Sequence, residues 1–293
     1  MILIADSGST KTEWSLVMNE RNFITEKGIT QTYTTSGINP FFQDSEEIFR
    51  ILETQLSIPK GDVSNVFFYG SGCIPEKIPA VSEVLEAYFG IKEVSVYTDL
   101  LAAARSLCQN RPGIACILGT GSNSCFYDGN VIAQQVSPLG FILGDEGSGA
   151  VLGKRLLADI LKNQLPKEII ANFFETYSIT PSEILDWVYN GQFPNRFMAG
   201  YCFFIKKHID NPVIANLVET SFNEFIERNI MQYEAIGQSP VHFTGGIAFH
   251  FRENLVNVLK AKGLEADSVT RSPMEGLIKY HIDKQIPVFP NFH

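Results

Sequence analysis

MILIADSGSTKTEWSLVMN, residues 1–19, and IACILGTGSNSCFYD, residues 114–128, are two versions of one pattern. In each, an apolar run ends in a loop of Gly, Ser and Thr and resumes as a second strand-like run. Such a loop leaves backbone N–H groups free beside side-chain hydroxyls, an arrangement by which proteins hold phosphate. Two of them in one chain point to two half-sites facing a single polyphosphate, and so to a bound nucleotide.

The segments around the loops repeat the same order. Met1–Ala5, Glu13–Met18 and Phe23–Gly28 read as strands, followed by a helix over Asp44–Gln55, a strand at Val63–Tyr69, an amphipathic helix at Ile78–Phe89 and a strand at Val94–Tyr97. The alanines and leucines from Thr98 onward favour a further helix. Ile114–Leu118, Ser124–Tyr127 and Val131–Gln135 are three more short strands, with a hairpin turn at Asp128-Gly129. Helices over Leu152–Leu161, Pro181–Tyr189 and Pro212–Tyr233, a strand at Val241–Thr244, and helices near Arg252–Lys262 and Met274–Lys284 complete the reading. Two successive β-β-β-α-β-α units indicate an α/β fold duplicated within the chain. The break falls near Asn110-Arg111-Pro112-Gly113, giving domains over 1–110 and 111–273, with the last helix (274–293) a candidate to rejoin the first.

Composition narrows the class. A chain of 293 residues with 45% apolar and 19% charged residues is an ordinary globular chain, long enough for two domains. The net charge of −9, without a Lys/Arg run, argues against a nucleic-acid partner. The short apolar start has no basic region before it and reads as a strand rather than a signal peptide. No apolar stretch nears the ~20 residues of a membrane span, so a cytoplasmic protein is expected. Cys73, Cys108, Cys116, Cys125 and Cys202 form no CxxC pair and read as free thiols. His242 and His250 lack metal-ligand spacing and read as structural.

The candidate chemistry lies in the loops. Asp6 ends the first strand, where it suits a water-mediated hold on Mg²⁺. Gly8, Ser9 and Thr10 can approach phosphate oxygens and Lys11 can neutralise their charge; the alternative is a polar hairpin turn. Gly119, Thr120, Gly121 and Ser122 repeat the case. Gly245 and Gly246 follow a strand and precede a helix, where backbone can lie against a nucleotide. Asp99 stands in the first turn of a helix, whose dipole favours the carboxylate; Thr98 is placed to do the capping instead. Gly140 to Gly149, GFILGDEGSG, is glycine-dense and would allow a ligand close to backbone. Within it, Asp145 is a candidate sugar or Mg²⁺ contact and Glu146 a loop anchor. The aromatic runs YCFFIKKH (201–208) and ANFFETY (171–177) fall at helical spacing and belong to a core or a subunit interface.

The order D-x-G-x-T, an aspartate opening a helix, G-T-G-S and G-G-x-A resembles the actin/Hsp70/sugar-kinase superfamily. TDLLAAARSL, ILGTGSNS and LGDEGSGAVLGKRLL are more narrowly similar to the N-acetylglucosamine kinases and the related BadF/BadG-type ATPases. The resemblance runs from Ile4 to about Ala248. It implies two actin-like (ribonuclease H-like) domains with a cleft between them, ATP and Mg²⁺ as cofactors, and an amino sugar as substrate. It makes Asp99 the base that takes the proton of the sugar 6-hydroxyl, and Asn39 a residue holding sugar hydroxyls, although Asn39-Pro40 is also an ordinary turn opener. Ser71, Gly72, Thr120, Gly140, Phe141, Asp145 and Ser148 complete the expected sugar contacts. Many relatives carry a Trp where this chain has Phe141, which bears on the acyl group accepted. The reading implied is an ATP-dependent 6-kinase for N-acetylglucosamine, with glucosamine, N-acetylmannosamine and N-acetylmuramic acid open. The apolar helical second half would suit a homodimer. Two other classes resemble the same loops: an ATPase activating a dehydratase through an iron–sulfur cluster, which needs cysteine ligands, and a non-catalytic sugar or nucleotide sensor.

Overall fold

The computed structural model describes residues 1–17 and 30–285. The chain divides into two units. One comprises Met1–Asn110 and the C-terminal segment from Pro273; the other is Arg111–Ser272.

The first unit contains β1 (Ile2–Ser7), β2 (Lys11–Val17), β3 (Thr30–Ser36), α1 (Ser45–Gln55), β4 (Asn65–Gly70), α2 (Ile78–Phe89), β5 (Val94–Thr98) and α3 (Asp99–Cys108). Its sheet has the order β3-β2-β1-β4-β5: the two hairpin pairings are antiparallel, while β1–β4 and β4–β5 are parallel. The strand expected over 23–28 lies outside the described residues. The third strand of the sheet is TQTYTTS, whose Thr and Tyr suit a pleated surface. Alternation along β1 dictates the layering. Leu3 and Ala5 join Trp14, Phe68, Ile48, Leu52 and Leu85 in one buried layer with α1 and α2. Ile2 and Ile4 face the other way and pack with Ala102 of α3 and with Met274 and Leu277, which lie at the start of the last helix.

The second unit begins with β6 (Gly113–Leu118), β7 (Ser122–Tyr127) and β8 (Ile132–Val136). Helices follow: α4 (Gly140–Leu143), α5 (Gly149–Leu161), α6 (Lys167–Tyr177), α7 (Pro181–Asn190), α8 (Pro194–Ala199), α9 (Cys202–Lys207) and α10 (Pro212–Arg228). Then come β9 (Val241–Thr244), α11 (Gly246–His250), α12 (Arg252–Ala261) and β10 (Ser268–Thr270); α13 (Met274–Gln285) returns to the first unit. The sheet order β10-β9-β6-β7-β8, with β6–β7 and β7–β8 antiparallel and β6–β9 and β9–β10 parallel, reproduces the first unit strand for strand. The duplication is therefore a property of the fold as well as of the sequence.

The helix expected over 212–233 stops at Arg228. Asn229 is buried with ψ −66°, and a single 3₁₀ turn over Ile230–Gln232 follows. The aromatic runs go to the core: Phe173 meets Phe174, Tyr177, Tyr201 and Phe204 with ring centroids 5.0–5.5 Å apart. Phe203, by contrast, is 80% exposed. His242 Nδ1 lies 2.9 Å from Ser268 Oγ across the β9–β10 pair, a structural placement. Among the described residues no helix is long and apolar enough to cross a membrane.

Candidate active site

In the first unit β1, β4 and β5 run parallel and end side by side at Ser7, Gly70 and Thr98. The carboxyl ends of such strands are where open α/β sheets bind ligands. Asp99 opens α3 directly after β5. Thr98 Oγ1 caps that helix by accepting the Leu101 N–H at 3.1 Å, which leaves the Asp99 carboxylate to other partners. Ser71, just beyond β4, donates its hydroxyl to Asp99 Oδ2 at 2.5 Å. Surrounding protein pushes the Asp99 carboxyl above the usual range, and the hydrogen bonds from Ser71 and from the amides of Leu100 and Asp99 oppose that.

Asp6, near the end of β1, is held at about 7. Burial is the main cause; the negative charges of Asp99 and Glu13 add to it, and Lys11 works against it. Two carboxylates are thus gathered with little compensating positive charge. Lys11 is shared with Glu13, at 3.6 Å, and is mostly exposed.

The first glycine loop is braced from behind. Ser7 and Thr12, opposite each other in the β1–β2 register, join their hydroxyls at 2.7 Å, and Ser7 Oγ accepts the Ile38 N–H at 2.9 Å. The Gly8 N–H donates to the Lys11 carbonyl at 3.0 Å, and the Gly37 N–H to the Thr10 carbonyl at 3.1 Å. Any side chain at Gly37 would run into the backbone of Gly8 and Ser9. Ser9 is half-buried and Thr10 exposed at the tip. Asn39 forms the turn expected of Asn-Pro: its Oδ1 accepts the Phe41 N–H at 2.9 Å and its carbonyl the Phe42 N–H at 3.0 Å. The same Oδ1 lies against Gly72, whose φ of +80° is left-handed and where a Cβ would collide with it. Asn39, Ser71, Gly72 and Asp99 are therefore one cluster.

The second unit builds a parallel arrangement. The Gly119 N–H donates to the Gly121 carbonyl at 2.9 Å, and α5 grips the loop through Gly149 N–H to the Gly119 carbonyl (2.8 Å) and Ala150 N–H to the Thr120 carbonyl (3.0 Å). Asp145, at φ +56°, turns its carboxylate onto the loop and accepts the Ser122 N–H at 3.2 Å. Gly245 comes close enough to Leu118 that a side chain would strike the Leu118 carbonyl. Gly119, Thr120, Gly121, Ser122, Asp145, Gly245 and Gly246 are thus brought to the carboxyl ends of β6 and β9.

Several expectations for residues 140–149 change. The glycines answer largely to the protein's own packing: Gly144 sits on the Pro138 carbonyl, Gly147 against Phe225, and Gly149 between Gly119 and Ala199. Ser148 is fully buried and its hydroxyl caps α5 by accepting the Val151 N–H. The Phe141 ring packs against the core of its unit, while Leu139, Ile142 and Leu143 point outward. Gly140, at φ +73°, has open space about it. Glu146 is paired with Arg228 at 2.5 Å. Sequence reasoning missed the Ser7–Thr12 brace, which the register of the first hairpin would have revealed.

The cysteines are buried. Burial pushes the Cys73 and Cys108 thiols up to about 12, against thiolate ligation. Among the described residues no group of three or more His, Cys, Asp or Glu is placed to hold a metal ion. The Asp6–Asp99 pair, rich in negative charge, does fit a divalent cation held partly by water and phosphate oxygens.

No protein-family model matches the chain, and no curated protein matches it. Among solved structures, the "Putative N-acetylglucosamine Kinase" of Porphyromonas gingivalis is 45% identical, with 98% of this chain and 100% of the other covered and a TM-score of 0.92. That of Chromobacterium violaceum, described in the same words, is 17% identical over 95% and 98% of the two chains, with a TM-score of 0.72. A ROK family glucokinase from Streptomyces griseus in complex with glucose and AMPPNP is 15% identical over 95% and 97%, with a TM-score of 0.57. These last two share the fold. The duplicated sheets, the paired glycine loops and the near-complete coverage at 45% identity agree: the chain belongs to the N-acetylglucosamine kinase-like family of sugar kinases, within the actin-like ATPase superfamily.

Proposed function

We propose that this kinase transfers the γ-phosphoryl group of ATP to the 6-hydroxyl of an amino sugar, N-acetylglucosamine foremost. The observation that carries the reading is Asp99: a carboxylate at a parallel strand end, released from capping by Thr98 and oriented by Ser71. In this role Asp99 takes the 6-hydroxyl proton as the sugar oxygen bonds to the γ-phosphorus and the bond to the ADP oxygen breaks. Asn39, Ser71 and Gly72 are the sugar-side contacts, joined by Thr120, Asp145 and the backbone at Gly140 and Phe141. Gly8, Ser9, Thr10, Lys11, Gly119, Thr120, Gly121, Ser122, Gly245 and Gly246 are the nucleotide contacts. Asp6 would hold Mg²⁺ through water, and a bound cation would return its carboxyl to the ionised form at neutral pH. When bound, that ion neutralises charge on the transferring phosphoryl group.

The Porphyromonas gingivalis relative supports the choice of N-acetylglucosamine. Glucosamine and N-acetylmuramic acid are the alternatives within the class. A coupled ADP-release assay with Mg-ATP against N-acetylglucosamine, glucosamine, N-acetylmannosamine, N-acetylmuramic acid and glucose tests the reading. Sugar-dependent turnover is expected, and Asp99→Asn should lower kcat by about 10²–10⁴-fold. ADP release indifferent to every sugar would overturn it.

A further inference from the structure

The Asn39 turn carries a residue that the site described so far does not use. Phe41 is 55% exposed, immediately beside Asn39 and Gly72. The turn fixes its backbone, since the Phe41 N–H is bonded to Asn39 Oδ1 at 2.9 Å. The edge of its ring lies over Gly72: a Cβ there would stand 2.9 Å from ring Cδ2. Gly72 adjoins Ser71, which holds Asp99. The Lys77 ammonium, 5.7 Å from the ring centroid, braces the ring from the following loop. An aromatic face is therefore anchored at one edge to the loop that orients the base, with more than half of its surface open.

A pyranose has two kinds of surface. Its hydroxyl rim calls for hydrogen bonds, which Asn39, Ser71 and Asp99 are equipped to give. Its C–H faces and the methyl of a 2-acylamido group call for apolar cover, and none of those three supplies it. Aromatic rings give large apolar contact with one end free for polar neighbours. We propose that Phe41 is the apolar wall of the sugar site, covering a C–H face or the 2-acyl methyl, and so a specificity-determining residue. The inference rests on the reading of Asp99 as the base for a sugar hydroxyl.

The test is steady-state kinetics of wild type, Phe41→Ala, Phe41→Trp and Phe42→Ala on N-acetylglucosamine and glucosamine, with circular dichroism and melting confirming that each variant folds. Phe41→Ala should raise KM for N-acetylglucosamine about tenfold while kcat and KM for ATP stay within about twofold. It should also bring the KM values of the acylated and free amino sugars closer together. Phe41→Trp should retain the wild-type KM, and Phe42→Ala should leave the preference between the two sugars in place. An unchanged sugar KM in folded Phe41→Ala, or an equal rise for ATP, overturns the assignment while the kinase reading stands. A wild type that turns over no sugar removes the reading of Asp99 and this wall with it.

Discussion

In the proposed role of Asp99 as the base, a single hydroxyl, that of Ser71, sets its working range. Burial raises the Asp99 pKa, and the Ser71 hydrogen bond favours the ionised form and lowers it. Removing that bond in Ser71→Ala leaves burial less opposed, so the pKa rises further. A base must be deprotonated to act, so activity lost on the acid side should be lost at a higher pH in Ser71→Ala. The kcat–pH profile reads this directly; coincident acid limbs for wild type and variant would show that Ser71 does not tune the base. The helix start at Asp99 was legible in the sequence, because an aspartate after a Thr and before LLAAA marks one with the capping already supplied. The cap that Ser148 gives α5 was not, because a hydroxyl at a glycine-dense helix start reads alike whether it faces a ligand or its own backbone.

At the scale of elements, two glycines sit where helices cross. Gly153 of α5 lies on the Met198 carbonyl of α8, and Gly276 of α13 lies on the backbone and hydroxyl of Ser106 in α3. Neither needs glycine for its own backbone, since neither has a positive φ. What they lack is room for a Cβ. Gly153→Ala and Gly276→Ala should therefore each cost about 1–3 kcal/mol, despite alanine's higher helix propensity, as measured by urea denaturation. Stabilisation by either substitution would mean that the crossing relaxes freely. Strands and long helices were readable from alternation and composition. The short helix α8 was not, because a run of six residues carries too little periodicity to separate from a turn. The end of α10 at Asn229 was equally hidden, since the apolar pattern continues past it into Ile230 and Met231.

For the whole molecule, the duplicated topology was readable because each glycine loop is framed by its own hairpin, and both sheets keep the same strand order. The path of the C-terminus was readable only as a possibility. Its settlement lies in packing: Tyr69 and His281 share a hydrogen bond of 2.8 Å, Arg105 donates to the Tyr69 hydroxyl at 2.9 Å, and Met274 and Leu277 cover Ile2 and Ile4. A chain ending at Ser272 would leave that face of the first sheet covered by α3 alone. It should lose cooperative unfolding of the first unit and associate through the exposed strands, as size-exclusion chromatography and thermal melting would show. A monomeric truncated protein with an unchanged melting curve would contradict the clasp.

That clasp also separates the order in which the chain is made from the order in which it is finished. The strand carrying Ile2 and Ile4 is synthesised before the second unit, but the helix that helps cover it is synthesised after that entire unit. At typical translation speeds the wait between that strand and that helix is roughly fifteen to fifty-five seconds. Through that wait the first unit remains unfinished, with one side of its sheet covered by α3 alone. The newborn chain should thus be most vulnerable at its first sheet, and a chaperone guarding it would be needed there until α13 arrives.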